Sequence, residues 1–271
     1  MGSMATYKAR LLAPGHPLAG ASVIVTRPAG SAATLRRRVR ALGGACIVVP
    51  GSGLRSPADV DNARAQLRAL RLADIVIFTS PAAVRFAWQL QPQLRFARTT
   101  LVFAPGAGSA RALQRRGVVQ ATFPPRRHDS EGLLYLPALQ RVRRQRIALI
   151  GAAGGRELLA PQLAARGARV QRIDVYRRTP PRLTRRHLDA LRRAAEPRIS
   201  LFSSAAALAH LHGRLPPELF ARLAADDCIV SSARVAAAAR AFAFVRLHVA
   251  AGAAPAQLLA AACAVLSRHR L

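Results

Sequence analysis

An apolar run, a glycine-rich loop and an amphipathic helix follow one another just past the middle of the chain, and this succession constrains the fold most strongly. Residues 147–150 are typical of a strand buried on both faces, and residues 151–155 form the glycine-rich loop. Leu159 and Leu163 mark one face of the following helix, which Gly167 is expected to end. With a second strand over residues 170–176, the pattern predicts a βαβ unit.

The last strand of this unit ends in a tyrosine with an unusual predicted orientation. Strict alternation puts Ile173 and Val175 on one face, and Asp174 and Tyr176 on the other. Tyr176 is therefore predicted to lie on a polar face. Two interpretations stay open: a half-buried edge tyrosine with a structural role, or a phenol that takes part in chemistry.

The same βαβ pattern is predicted near the N-terminus. Its two strands, and the helix between them that Ser31 is expected to cap, span residues 23–49. A shift of 124 residues places Val25 on Leu149 and the segment 78–80 on 202–204. The chain therefore resembles two pseudo-repeats, about 23–145 and 147–271. Their period is too long for a solenoid, so duplicated α/β halves are predicted.

The remaining segments alternate between strand and helix patterns. Leu67, Leu70 and Leu72 are the candidate core face of one helix, Ser80 is a predicted N-cap before Pro81, and the two aspartates at 226–227 are interpreted as a turn. Further strands are predicted at residues 75–78, 100–104, 118–119, 199–202, 228–230 and 245–249. This alternation is typical of an α/β protein with a parallel, helix-covered sheet.

Charge narrows the possible functions. The chain has 42 Lys and Arg residues against 12 Asp and Glu, a formal net charge of +30, and Lys8 is its only lysine. The arginines are spread over nearly every predicted helix, which favours a coding bias over a groove built for nucleic acid. A positive field nevertheless raises the local concentration of any polyanionic ligand.

Cysteine usage and hydropathy indicate the cellular compartment in which the protein is expected. Cys46, Cys228 and Cys263 lie in apolar surroundings and form no disulfide or metal framework, which indicates a reducing compartment and a cytoplasmic protein. No signal peptide is recognised, and arginines such as Arg234 and Arg240 interrupt the alanine-rich segment 233–254, so no membrane span is predicted. We expect a monomer.

Polar residues recur after the predicted strands. Ligands of open parallel sheets gather outside the carboxyl ends of the strands, beside helix N-termini. Hydroxyl-bearing or glycine residues follow the strands at Thr26 with Arg27, Thr79 with Ser80, Gly106 with Ser109, residues 151–155, Ser203 with Ser204, and Ser231 with Ser232. Each serine is also an ordinary N-cap. Taken together, the set predicts binding of carboxylates or phosphates.

Sharper catalytic motifs are absent from the sequence. The segment that begins at Gly106 has Arg111 where a dinucleotide fingerprint needs its third glycine, and the loop at 151–155 lacks the lysine of a phosphate-binding loop. His210 and His212 have no metal-ligand spacing, and no nucleophile elbow occurs. An enzyme of this kind would hold a charged substrate by hydrogen bonds and use one phenol.

The order of these motifs resembles the uroporphyrinogen-III synthase family over about residues 23–266. The segments that carry the resemblance are Val25-Thr26-Arg27-Pro28, Ile77-Phe78-Thr79-Ser80, Gly106 with Ser109, Gly154-Gly155-Arg156, Asp174-Val175-Tyr176, Phe202-Ser203-Ser204 and Ser231-Ser232. The chain departs from many relatives at Pro81-Ala82, where they have Ala-Asn, and at Gly151, near which they have arginine.

The resemblance implies two parallel-sheet, flavodoxin-like α/β domains joined by a two-stranded β ladder. Domain one would comprise residues 1–51 and 177–271, and domain two residues 52–176, with linker strands near 50–57 and 172–181. Tyr176 would then lie at a gap between the domains. A Tyr176 buried within one lobe and far from such a gap would contradict this interpretation.

The resemblance also implies an activity. The family cyclises the linear tetrapyrrole hydroxymethylbilane, inverting ring D and losing water through azafulvene and spiro intermediates, without a metal or cofactor. Tyr176 matches the tyrosine that helps the hydroxyl group leave. The substrate-binding residues would be Thr26, Arg27, Ser80, Gly106, Ser109, Gly154, Arg156, Ser203, Ser204, Ser231 and Ser232. Two alternatives stay open: a non-catalytic module of this fold that binds an acidic ligand, and, less favoured, a nucleic-acid-binding protein.

Overall fold

The computed structural model describes residues 16–127, 129–154 and 158–269. The strands are β1 (Ser22–Val25), β2 (Ala45–Val48), β3 (Gly53–Arg55), β4 (Ile75–Phe78), β5 (Leu101–Phe103), β6 (Ala121–Thr122), β7 (Arg146–Ala152), β8 (Arg169–Thr179), β9 (Arg198–Phe202), β10 (Asp227–Val230) and β11 (Leu247–Val249). The α-helices are α1 (Ala33–Ala41), α2 (Val60–Arg68), α3 (Pro81–Leu90), α4 (Ala107–Gln114), α5 (Ser130–Leu134), α6 (Pro137–Gln140), α7 (Leu159–Ala165), α8 (Arg185–Arg192), α9 (Ala205–His212), α10 (Pro217–Ala225), α11 (Ala233–Arg240) and α12 (Pro255–Arg268).

The chain divides into two compact units. Unit 1 comprises Met1–Gly53 and Thr179–Leu271, and unit 2 comprises Leu54–Arg178. Strands β3 and β8 are neighbours in one sheet, and the chain passes from one unit to the other within each of them.

Each unit is built on a parallel sheet. In unit 1 the strand order is β11-β10-β9-β1-β2, and all neighbouring strands are parallel. Numbered within the unit, this is the 2-1-3-4-5 order of flavodoxin-like folds. In unit 2 the order is β3-β8-β7-β4-β5-β6, with parallel pairing from β8 to β6. The predicted α/β class with parallel sheets is confirmed.

The two sheets show how the duplication is distributed. Five strands of each sheet correspond in spatial order: the order β2-β1-β9-β10-β11 in unit 1 matches the order β8-β7-β4-β5-β6 in unit 2. The strands that the 124-residue shift equates therefore take equivalent places, as duplicated halves would. Each half of the chain contributes strands to both sheets.

Apolar layers cover both faces of each sheet. All four residues of β1 and of β4 are buried. In β4, Val76 and Phe78 join one apolar cluster, while Ile75 and Ile77 join another. Because successive side chains point to opposite faces, each central strand separates two apolar layers, which explains its uninterrupted hydrophobic sequence.

Local signals set several helix ends. Ser80 is the N-cap of α3, where its Oγ accepts the Ala83 N–H at 3.0 Å, and Pro81 follows as the first helical residue. Gly43 and Gly167, which follow α1 and α7, adopt φ values of +84° and +83°. A positive φ is strained in residues that carry a Cβ atom, so glycine ends a helix in this conformation at little cost in free energy.

Three local predictions are wrong. Ser31 does not cap α1: its Oγ donates to the Pro28 carbonyl within a 3-10 turn, since a serine hydroxyl competes for nearby backbone groups. Leu72 is 63% exposed because a 3-10 turn over Ala69–Leu72 breaks the helical period. The strand predicted at residues 118–119 lies instead at β6, and Val119 is 78% exposed.

The two aspartates interpreted as a turn are buried at the amino end of β10. Asp226 accepts two hydrogen bonds from Arg198, at 2.7 and 2.8 Å, and both side chains are nearly inaccessible, at 7% and 8% exposed. Asp227 lies 2.8 Å from His248 Nε2, which links β10 to β11. The hydrogen bonds from Arg198 to Asp226 also raise the pKa of the arginine above its ordinary value. These contacts hold together the amino ends of neighbouring strands in the unit 1 sheet.

Replacing Asp226 by asparagine is expected to lower the free energy of unfolding by about 3–5 kcal/mol, because Arg198 would remain buried without its buried counterion. Glu196, which also contacts Arg198 at 3.0 Å, is 76% exposed and compensates little. The matched control is Asp61→Asn, whose partner Arg64 is at 3.4 Å on the surface and whose own side chain is 93% exposed. The control should cost at most about 1 kcal/mol. Urea unfolding measures both; equal losses would contradict the assigned role of the buried pair.

Candidate functional site

The phenol of Tyr176 meets the beginning of helix α3 at the carboxyl end of β4 in unit 2. Its hydroxyl lies 3.2 Å from Ser80 Oγ, and the same Oγ accepts the Ala83 N–H. The ring stacks on Phe86 with centroids 5.3 Å apart and an interplanar angle of 15°. Arg85 lies over the Phe86 ring, with its Cζ 5.0 Å from the centroid. Strand, helix and aromatic packing thus fix the position of the phenol oxygen.

The predicted polar orientation of Tyr176 is wrong. Tyr176 is only 3% exposed and belongs to the same apolar cluster as Ile150, Ala152 and Ile173. The cause is a register shift between β7 and β8: Asp174 pairs with Gly151, but Tyr176 pairs with Ala152. The extra residue in β8 reverses the alternation, so Tyr176 joins the face that carries Ile173.

Gly151 lies at the carboxyl end of β7, beside Thr79. Thr79 Oγ1 donates to the Ile150 carbonyl at 3.1 Å. A Cβ atom on residue 151 would lie 2.7 Å from that Oγ1, closer than side chains tolerate. The glycine therefore permits the close approach of the two strand ends, and a larger residue here would require Thr79 to move.

The other predicted residues of unit 2 lie on neighbouring turns. Gly106 is a buried residue at the start of α4, and Ser109 in the first turn of that helix is 3% exposed. Gly154 has a φ of +62° in the exposed turn after β7. Arg156 lies outside the described residues, so its predicted contact with substrate stays a prediction.

In unit 1, the predicted residues follow three adjacent strands, β1, β9 and β10. Ser203 and Ser204 follow β9, and Ser231 and Ser232 follow β10; all four are partly exposed. Ser232 caps α11 with a 3.4 Å bond from the Val235 N–H, whereas Ser204 at the start of α9 makes no capping bond through its side chain. Thr26 is different: it is 2% exposed, and its Oγ1 donates to the Leu201 carbonyl at 2.7 Å, so its hydroxyl joins two strand ends.

Arg27 is an incompletely paired guanidinium at this edge. One of its terminal nitrogens donates to the Ala253 carbonyl, while its Nε is buried without a hydrogen-bond partner. Burial lowers the pKa of the Arg27 guanidinium below its ordinary value. In the described part of the chain, no carboxylate pairs with it. A buried donor without a partner is costly, which makes this position suited to an anionic ligand.

Charge is distributed unevenly between the two ends of the unit 1 sheet. Glu196, Asp226 and Asp227 lie where β9 and β10 begin. Among the residues described here, no Asp or Glu occurs in the segments that directly follow the five strand ends of unit 1. Hydroxyl groups, helix N-termini and Arg27 therefore define this edge, and such groups attract carboxylates.

The structure thus places the Ser80 hydroxyl beside that of Tyr176 at the carboxyl edge of the unit 2 sheet. Arg27 and the serines that follow β9 and β10 come after neighbouring strands, at the carboxyl edge of the unit 1 sheet. Sequence reasoning missed Phe86 as the partner of the phenol, since its position on α3 indicated only core packing. Over the described residues, no group of three or more His, Cys, Asp or Glu is arranged to hold a metal ion. In the same residues, none of the helices has the length and hydropathy needed to cross a membrane.

The fold and the carboxyl edges define a class: an α/β protein with two parallel-sheet units whose strand ends carry hydroxyl groups, helix N–H groups and an arginine. The family model described as "Uroporphyrinogen-III synthase HemD" matches residues 33–260. The chain belongs to the uroporphyrinogen-III synthase family.

Individual relatives agree with this assignment. The chain is 35% identical to uroporphyrinogen-III synthase of Escherichia coli (strain K12) over 159 aligned residues. The aligned region is 58% of this chain and 65% of the relative. The synthase of Proteus mirabilis is 30% identical over 159 residues, 58% of this chain and 80% of the relative. The matched region thus spans slightly less than two thirds of the length of the E. coli protein.

Two solved structures resemble the fold. A mutant uroporphyrinogen III synthase from the extremely thermophilic bacterium Thermus thermophilus superposes with a TM-score of 0.54 at 21% identity, covering 92% of this chain and 99% of the other. Uroporphyrinogen-III synthetase from Helicobacter pylori 26695 gives a TM-score of 0.56 at 14% identity, over 90% of this chain and 99% of the other. At these identities the likeness concerns the fold alone.

Proposed function

We propose that this chain is a uroporphyrinogen-III synthase, a hydro-lyase that cyclises hydroxymethylbilane with inversion of ring D and loss of water. The observation that carries the proposal is the family match over residues 33–260. The matched region contains Tyr176 and Ser80, whose hydroxyl groups lie 3.2 Å apart at the start of α3. No other described tyrosine has such a contact: Tyr135 is 74% exposed.

The proposed substrate is a linear tetrapyrrole that carries eight carboxylates. Arg27, the free N–H groups at the starts of α9 and α11, and the hydroxyl groups of Ser203 and Ser231 are proposed to bind some of these carboxylates. Support comes from the absence of acidic side chains along this edge in the described residues, and from the buried, unpaired Nε of Arg27. Gly106, Ser109, Gly154 and Arg156 are proposed to bind substrate on unit 2.

The proposed reaction begins at ring A, the end of the bilane that carries the hydroxymethyl group. Electron release from the pyrrole nitrogen breaks the bond between the terminal methylene carbon and its hydroxyl group. Tyr176 donates its proton to that hydroxyl, directly or through one water, so that water leaves and an azafulvene remains. The azafulvene carbon then bonds to the α-carbon of ring D that already carries the methylene bridge from ring C, which gives a spiro intermediate. The older bond from that bridge to ring D breaks and leaves a second azafulvene at ring C. Its methylene carbon bonds to the free α-carbon of ring D, so that ring D is inverted. The phenolate regains the proton that a ring carbon releases as the macrocycle closes and its pyrrole regains aromaticity.

The burial of Tyr176 favours one competing function. A phenol that is 3% exposed must become accessible before it can reach a substrate, and a structural tyrosine needs no such change. A non-catalytic module that binds an acidic ligand through the same edges is therefore the second candidate. Pro81, one of the departures from many relatives, is compatible with both, since it occupies the first position of α3.

We further propose that the protein acts as a monomer in the cytoplasm. The three cysteines, Cys46, Cys228 and Cys263, form no disulfide bond, as expected in a reducing compartment. Sedimentation equilibrium across a tenfold range of protein concentration tests the monomer; a mass that rises with concentration would contradict it.

The product isomer tests the proposed function. Hydroxymethylbilane that closes without inversion gives the type I macrocycle, whereas the proposed enzyme gives type III. Incubation with the purified chain, oxidation of the products and chromatographic separation should therefore show mainly the type III isomer. If type I dominates and its amount matches a protein-free incubation, the synthase proposal fails, and retained binding of the bilane would identify the non-catalytic module.

A further inference from the structure

Ser80 connects the phenol of Tyr176 to the N-terminus of a helix. Its Oγ accepts the Ala83 N–H at 3.0 Å and lies 3.2 Å from the Tyr176 hydroxyl. Ser80 is only partly exposed, and Tyr176 is buried. With both bonds made, the serine oxygen has little capacity left for a substrate carboxylate, the role that the family resemblance suggests for it.

The surroundings of the two hydroxyl groups favour one direction for the hydrogen bond between them. A serine hydroxyl has one hydrogen to donate and two lone pairs, one of which here accepts the amide. That amide belongs to the first turn of α3, where the aligned peptide dipoles place partial positive charge. Accepting from such a group strengthens the serine as a donor, because hydrogen bonds in a chain polarise one another. At 3.2 Å either hydroxyl group can be the donor, and the amide bond to Ser80 favours the arrangement in which Ser80 donates and Tyr176 Oη accepts.

We propose that Ser80 is a positioning residue for the phenol: it donates to Tyr176 Oη, so that the phenol hydrogen stays available for the leaving hydroxyl group of the substrate. The inference rests on the proposed function, within which it gives Ser80 a role other than carboxylate binding. As the proton moves to the leaving group, negative charge develops on Oη. The bond from Ser80 then becomes charge-assisted, and the N-terminus of α3 stabilises the same charge.

The stacked ring of Phe86 supports this geometry. A phenol held between a strand and a second aromatic ring rotates little, so its oxygen stays opposite Ser80. The serine thus acts on the reaction through Tyr176 and needs no contact of its own with the bilane.

A purely structural role for Ser80 is the competing explanation, since it caps α3. Glycine replaces a serine N-cap at a cost of only a few tenths of a kcal/mol. Ser80→Gly therefore removes the hydroxyl group with little damage to the helix, and Ser80→Thr keeps a hydroxyl at the same position. Asp59→Gly is the matched control: Asp59 caps α2 by accepting the Asn62 N–H at 2.9 Å, and no phenol of the described residues contacts it.

The test measures kcat, KM and urea unfolding for these variants, alone and combined with Tyr176→Phe. Ser80→Gly should lower kcat about 10- to 150-fold, the range for a lost hydrogen bond to a charged group, with KM within about twofold. Ser80→Thr should stay within about threefold of the parent, and Asp59→Gly should keep full activity. In the Tyr176→Phe background, Ser80→Gly should have almost no further effect, because the two residues act as one unit.

Three results would overturn the inference. A raised KM with unchanged kcat would show that Ser80 binds a substrate carboxylate. Equal fold-losses in both backgrounds would show that the serine acts independently of the phenol. A loss of activity in Asp59→Gly equal to that in Ser80→Gly would reduce the effect to helix capping. Failure of the proposed function is a separate outcome, because the parent chain would then yield no excess of type III product.

Discussion

Tyr176→Phe is expected to lower kcat for type III product about 10²- to 10⁴-fold, the contribution typical of one positioned proton donor. The ring can still stack on Phe86, so the fold should remain, with a loss of about 0.5–1.5 kcal/mol in the free energy of unfolding for the missing bond to Ser80. Steady-state kinetics with separation of the isomers measures the first effect, and urea unfolding the second.

The control for this variant is Tyr135→Phe. Tyr135 is 74% exposed and directly follows α5, so loss of its hydroxyl should leave both activity and stability within error of the parent. Undiminished type III output from Tyr176→Phe would remove the role assigned to the phenol. The site would then act only by holding the bilane in a reactive conformation, without a proton donor at position 176.

Arg27→Leu is expected to raise KM about 10- to 150-fold, because a charge-assisted bond to a substrate carboxylate contributes about 1.5–3 kcal/mol. The same change should leave the free energy of unfolding unchanged or higher. The Nε of Arg27 is buried without a hydrogen-bond partner, and the guanidinium has no counterion among the described residues, so the folded protein bears a cost that leucine removes. A gain in stability with a loss of binding is the signature of a residue kept for its ligand.

Arg37→Leu controls for the general positive field. Arg37 is an exposed residue of α1 and carries the same charge, so its loss should change KM by less than about twofold at moderate ionic strength. Should the two variants raise KM equally, the field of the whole protein rather than Arg27 would attract the substrate. A large loss of stability in Arg27→Leu would instead mark Arg27 as structural.

Most strands of both sheets could be predicted from the sequence because buried parallel strands need continuous apolar segments. β4 and β7 lie where such runs occur, and glycines follow the helices where predicted, as at Gly167. The two-residue strand β6 could not be located, since so short a segment has no measurable period. Leu72 was assigned to the core because a turn of 3-10 geometry has no distinct hydrophobic pattern.

The position of the candidate site was predictable, but the orientation of its side chains was not. The rule for parallel sheets identified the carboxyl ends that carry Ser80, Arg27 and the paired serines. It could not reveal the register shift that turns Tyr176 into the core, because a bulge depends on pairing between β7 and β8. Nor could it show that the Thr26 hydroxyl bonds to the Leu201 carbonyl, a contact between residues 175 positions apart.

A crystal structure of the Tyr176→Phe variant with hydroxymethylbilane bound tests the central claim most directly. We predict substrate carboxylates on Arg27 and on the N-termini of α9 and α11, and the hydroxymethyl oxygen of ring A within about 4 Å of the Cζ atom at position 176, where a phenol could donate to it. A bilane bound at the opposite ends of the strands, or one whose hydroxymethyl oxygen lies beyond reach of position 176 even through one water, would contradict the account.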